Sequence, residues 1–137
     1  MTLELDLQIA LDLPGLPAEA DFRHWTEAAL AGAGYTRDAE LTLRVVNEAE
    51  CAALNEAYRH KQGPTNVLSF PFVAPPEVES ALLGDIVICP SRAEEPLETL
   101  AIHGLLHLLG YDHETDEGEM LRLQDVLVDA RGAAEGA

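Results

Sequence analysis

The sequence predicts an α+β sandwich, a small mixed sheet of about four strands packed with helices in a single domain over residues 1–137. Three observations predict it. A chain of 137 residues suits one hydrophobic core. Its 47% apolar content is broken into short punctuated runs, with no stretch long enough to span a membrane. Segments that alternate at period two are interleaved with segments of helical period.

The first strand rests on Leu3, Leu5, Leu7, Ile9 and Leu11, which alternate with polar residues. The same stretch, MTLELDLQIALDL, lacks the basic flank and continuous apolar centre of an export signal. Pro17 opens a helix in AEADFRHWTEAALAGAG, where Phe22, Trp25, Ala29 and Leu30 share a face and Gly32 and Gly34 end the element. ELTLRVV (40–46) reads as the second strand. Asn47 and Glu50 then form a capping pair for a helix over about 48–60.

GPTNV turns the chain into VLSFPF (67–72), a β-rich run, and after the loop APPEVES the segment GDIVIC (84–89) is another strand, ended by Pro90. Pro96 stands in the first turn of a helix through LETLAIHGLLHLL, with Gly110 as its stop. Thr115 caps a last helix over roughly 116–130, with Met120, Leu123, Val126, Leu127 and Ala130 on one face.

Eight Lys and Arg stand against 25 Asp and Glu, a formal net charge of −17. Such a balance argues against unspecific nucleic-acid binding, which depends on Lys and Arg neutralising phosphates. The few cations cluster in part, Arg59 and Lys61 flanking His60 in YRHK. Cys51 and Cys89 read as buried packing residues in a protein of the reducing cytoplasm.

Three of the five histidines fall within HGLLHLLGYDH (103–113). His103 and His107 are four apart, one helical turn, so their rings share a face and can converge on one ion. A third ligand needs the chain to turn back, which Gly110 permits by accepting the positive φ that ends a helix sharply. His113 follows three residues later. This spacing matches the metzincin zinc motif, so a metzincin-like metal helix is expected, with His103, His107 and His113 as ligands of one divalent ion per chain.

The glutamate that serves the proteases as general base is replaced here by Gly104. Three protein ligands leave a position for water, the mark of a hydrolytic rather than a structural zinc site. Cys89 is a remote candidate for a fourth ligand. His24 and His60, lacking such company, read as packed core residues.

With these residues in place, the sequence resembles the YbeY family of bacterial rRNA maturation endoribonucleases. The resemblance rests on LNEAYRHKQGPTNVLSFPF (54–72), LLGDIVICP (82–90) and HGLLHLLGYDH (103–113), and covers most of the chain beyond its N-terminal third. It implies a metal-dependent endoribonuclease selective for single strands, acting at the 3′ end of 16S rRNA and in ribosome quality control. It implies zinc on His103, His107 and His113, with nickel also acceptable to imidazole ligands. The resemblance implies single-stranded rRNA as the RNA, and the acidic balance leads one to expect recruitment through the small ribosomal subunit or its basic proteins.

Arg59 matches the family's functional arginine. Taken alone it reads as a solvated helix-end side chain, but a guanidinium near the metal can pair with a phosphate oxygen and offset developing charge. Lys61 is either a second phosphate contact or a surface lysine. Asp112 either orients a ligand or helps as a base, or simply makes the helix exit polar. Ser69 and Asp85 read as polar anchors of their strands, and Tyr111 as a side chain packed beneath the turn.

The chain departs from the family in the short lead-in SRAEEPLETLAI before the first ligand, which bears on substrate fit. Two other functions stay open at this point: a zinc peptidase, and an assembly factor whose metal only fixes the fold.

Overall fold

Period-two alternation becomes strand β1 (Leu3–Ile9), and the first helical segment becomes α1 (Glu19–Gly32). Strand β2 (Ala39–Val45) and helix α2 (Glu48–Arg59) follow, then β3 (Val67–Pro71) and β4 (Leu82–Ile88). A 3₁₀ turn at Pro90–Arg92 leads to α3 (Leu97–Leu108), and α4 (Glu119–Glu135) closes the chain. The computed structural model describes residues 2–11, 13–59, 65–112 and 116–135, with side chains described as far as residue 128.

The four strands form one mixed sheet in the order β1-β2-β4-β3. β1 runs parallel to β2 and β2 parallel to β4, while β3 returns antiparallel along β4 as the edge strand. Alternation along each strand separates two faces. Leu3, Leu5, Leu41, Leu43, Ile86 and Ile88 join Phe22 and Leu30 of α1 and most of α3 in the main core. Leu68 and Val87 point the other way and pack with Cys51 of α2 and with Cys89, beneath Leu54 and Phe70. α2 thus covers the β3–β4 half of the second face. Over β1 and β2 that face presents exposed Glu4, Asp6 and Glu40. The expected sandwich is therefore present.

Local differences from the sequence reading have identifiable causes. Asn47 does cap α2, its Oδ1 accepting from the Glu50 N–H at 2.9 Å. The reciprocal half of the capping box is missing because the Glu50 carboxylate pairs with Arg44 on β2. α4 begins three residues later than expected. Its first turn is held by Asp116, whose carboxylate accepts from the N–H groups of Gly118 at 2.8 Å and Met120 at 3.0 Å. The expected cap, Thr115, lies outside the described residues.

The buried stripe of α4 is also rotated. Met120 and Leu127 are buried and Leu123 half-buried, but Val126 faces solvent and the polar Gln124 takes an inner position. His24, read as a core residue, is exposed on α1, and His60 lies outside the described residues. Cys51 and Cys89 are buried unbonded thiols, as expected. Burial, above all, raises the Cys51 pKa, and the thiol donates to the Thr65 carbonyl at 3.2 Å. Among the described residues no helix is long and apolar enough to cross a membrane.

On the open sheet face, Glu4 and Glu40 stand opposite one another in the β1–β2 pair. A hydrogen bond shared with Glu4, followed by the repulsion of its charge, lifts the Glu40 carboxyl above its ordinary pKa. A group whose pKa is raised by folding adds stability below its unfolded pKa and loses it as pH rises through the folded value. Replacing Glu40 by Gln should therefore raise Tm at neutral pH, and the gain over the parent should close as pH falls through the carboxylate range. Thermal unfolding followed across that range checks this; a gain independent of pH would assign the effect to packing instead.

Candidate active site

α3 is apolar around almost its whole circumference because it is packed on nearly every side. Leu100, Ala101, Ile102, Leu105 and Leu106 are essentially inaccessible, and the helix touches β3, β4, α1 and α4. In its second half the polar exceptions are His103 and His107, both half-buried. Gly110 adopts φ +100°, and the Tyr111 N–H reaches back to the Leu106 carbonyl at 3.0 Å. This is the sharp glycine stop expected from the sequence, and it returns the chain across the end of the helix.

The two imidazoles are fixed from behind. His107 Nδ1 lies 2.9 Å from the Tyr111 carbonyl, delivered by that stop, and His103 Nδ1 lies 2.7 Å from Oε1 of Gln124 on α4. A carbonyl oxygen can only accept, so each contact favours a proton on Nδ1, which in a neutral ring leaves the Nε2 lone pair facing the other histidine. The rings meet edge to face with centroids 4.8 Å apart, bringing the two Nε2 atoms to 3.2 Å.

Two acceptor lone pairs at that distance repel one another, and a metal ion between them would turn the repulsion into shared coordination. Nitrogens bound to zinc at about 2.0–2.1 Å in tetrahedral geometry stand roughly 3.3 Å apart, so the pair fits such an ion. Among the described residues no three His, Cys, Asp or Glu side chains gather as a metal group. His113, the third expected ligand, lies outside the described residues.

His103 and His107 open onto a cleft of about 550 Å³ between α3 and the β3 edge. The same cleft is lined by Arg59 at the end of α2, by Asp112 and by Ser69. The structure thus brings together four of the expected site residues, Arg59, His103, His107 and Asp112. Lys61 lies outside the described residues. Asp112 is exposed at the cleft rim, and Tyr111 packs partly against the core as expected. The Cys89 thiol is committed to the smaller core cluster, where its Sγ lies 3.4 Å from the Ser91 hydroxyl.

Two further residues belong here. Asn55, one turn before Arg59, is 5% exposed and lines the cleft. Gln124 is buried with its Oε1 2.7 Å from His103 Nδ1. Each has the same signal in the sequence, an amide at an inward position of a helix, and only the tertiary structure tells such an amide from a solvated one.

Comparisons with known proteins place the chain in a family. A family model described as Endoribonuclease YbeY matches residues 15–132 of the 137. The chain belongs to the YbeY endoribonuclease family. The match starts well before the segments that suggested it, so α1 and β2 are part of the YbeY pattern and not an addition to it. The solution structure of TM1509 from Thermotoga maritima is 28% identical, with a TM-score of 0.57 over 93% of this chain and 87% of that one. YbeY membership supports an endoribonuclease role in rRNA maturation.

Gly104, which stands where a metzincin protease has its glutamate, faces the sheet. A Cβ there would lie 2.7 Å from Ile86 Cγ2 and 3.2 Å from Ser69 Oγ, and the Ser69 hydroxyl donates to the Gly104 carbonyl at 3.1 Å. Ile86 is fully buried in the main core, so its retreat would press on other core side chains. Gly104→Ala should cost about 1–3 kcal/mol of stability by overpacking, measured by urea unfolding. An unchanged or increased stability would mean that the helix can lift off the sheet freely.

Proposed function

We propose that this chain is a metal-dependent endoribonuclease that cuts single-stranded RNA during rRNA maturation, with His103, His107 and His113 as ligands of one divalent ion, preferably zinc. The observation behind this reading is the convergence of the His103 and His107 Nε2 atoms at 3.2 Å, in a cleft that also holds Arg59. Family membership supplies the reaction class.

When bound, the ion would supply Lewis-acid polarisation at the scissile phosphate. The chain's own residues do the rest. His103 and His107 present lone pairs held in place by Gln124 and the Tyr111 carbonyl. Arg59, always protonated, pairs with a phosphate oxygen and offsets charge that grows during attack at phosphorus. Asp112, exposed at the rim, would take a proton or orient a ligand, and Lys61 would add attraction for the RNA backbone.

Tyr58, 66% exposed beside Arg59 and edge-on to Phe70 at 5.5 Å, offers a ring on which an unpaired base can stack. This supports a preference for single strands. The unbonded thiols of Cys51 and Cys89 favour a reducing compartment, the cytoplasm. The ribosomal small subunit or one of its basic proteins would bring this acidic chain to its RNA, with 16S rRNA 3′ ends and defective ribosomes as targets.

The test uses labelled single-stranded RNA and an unstructured protein as parallel substrates, with and without chelator. Cleavage of RNA alone, abolished by chelator, is expected; cleavage of the protein would overturn the reading in favour of a peptidase. No cleavage, with unfolding on metal removal, would make the chain an assembly factor. Arg59→Ala should lower kcat by about 10²–10³-fold with metal content unchanged, whereas His107→Ala should lose the metal, as elemental analysis would register. A 2′,3′-cyclic phosphate on the products would identify the RNA's own 2′-hydroxyl as nucleophile.

A further inference from the structure

We infer that Gln124 is a positioning residue for the histidine pair, holding the His103 proton on Nδ1 so that the Nε2 lone pair is turned toward the site of the divalent ion. The inference rests on the metal reading above.

Gln124 lies on α4, 21 residues beyond His103, and is only 7% exposed. It interrupts a stripe that otherwise buries Met120 and Leu127, and burying an amide among apolar side chains is unfavourable unless it is hydrogen-bonded. Its Oε1 lies 2.7 Å from His103 Nδ1. That contact decides a competition between tautomers. In water a histidine ring prefers the proton on Nε2. A proton there would point at His107 Nε2, 3.2 Å away, and a direct hydrogen bond would close the pair against any ion. Gln124 removes that alternative by giving the proton a buried acceptor on the opposite side of the ring. His107 gets the same service from the Tyr111 carbonyl, a backbone group that no substitution can delete. Among the contacts described for the pair, the one that a substitution can remove is therefore that of Gln124.

Gln124→Leu fills the space and removes the acceptor; Gln124→Glu keeps the acceptor. The first readout is the His103 tautomer in the metal-free protein, taken from long-range ¹H–¹⁵N NMR above the imidazole titration range. The parent and Gln124→Glu should show Nδ1–H, and Gln124→Leu a shift toward Nε2–H with circular dichroism unchanged. The second readout is zinc affinity by chelator competition. Gln124→Leu should lose about 10–100-fold, and Gln124→Glu should stay close to the parent.

An Nε2–H tautomer in the parent overturns the inference, even if Gln124→Leu fails to fold. So does a Gln124→Leu variant of undiminished zinc affinity. A parent that binds no divalent ion would refute the metal reading alone, because the metal-free tautomer still decides what Gln124 does.

Discussion

Helix α3 approaches the sheet so closely that position 104 has room only for hydrogen. That approach sets where everything else in the site can stand. At about 100° per residue, His103 lies one step back around the helix from Gly104, and His107 lies three steps on, about 60° short of a full turn. With Gly104 against Ile86 and Ser69, both histidines emerge on the same flank, at the seam between helix and edge strand. Ser69 ties the seam by donating to the Gly104 carbonyl, and Gly110 then returns the chain so that the Tyr111 carbonyl backs His107. The depth of α3, the pairing of the rings and the position of the cleft are consequences of one contact.

The same contact separates this site from a peptidase built on the same histidine spacing. A metzincin glutamate has to reach the water beside the metal. Here the bond that would carry its side chain points into the sheet, at a fully buried isoleucine. A longer residue at 104 would force Ile86, Ser69 or the helix to shift, so a base at this position is disfavoured by the packing that sets the histidine pair. Phosphoryl chemistry tolerates the lack of such a base better than peptide hydrolysis does. Its dominant demand is offsetting charge on phosphate oxygens, for which a guanidinium such as Arg59 is suited.

Much of this was legible in the sequence because the signals were local. Period-two alternation gave β1, the punctuation of Pro and Gly gave the helix limits, and the His–x3–His spacing with Gly110 gave the turn that backs the pair. What escaped were choices made by tertiary partners. Glu50 looked like half of a capping box until Arg44, on the neighbouring strand, claimed its carboxylate. His24 carried no signal separating a packed from a solvated ring. Gln124 looked like one more polar residue between Leu123 and Asp125, yet the helix is rotated so that it faces His103 and Val126 faces water. A glutamine on the inward stripe is energetically sensible only with its acceptor in view, and that acceptor's partner is a helix away.

The acidity of the chain bears on the site through geometry rather than through its sum. Exposed Glu4, Asp6 and Glu40 lie on β1 and β2, and the cleft opens at the β3 edge at the other end of the sheet order. With strands about 4.8 Å apart, β2 is roughly 10 Å and β1 roughly 14 Å from β3. Both distances exceed the screening length of about 8 Å at physiological ionic strength. The described residues lining the cleft, by contrast, include one guanidinium, Arg59, and one carboxylate, Asp112, among neutral amides, hydroxyls and imidazoles. Asp85 on β4 is also exposed and stands opposite Phe70 of β3, so a phosphate at this edge would depend on Arg59 and a bound cation. Under the proposed function, the formal charge of −17 would weaken long-range attraction of RNA without barring its phosphates from the cleft.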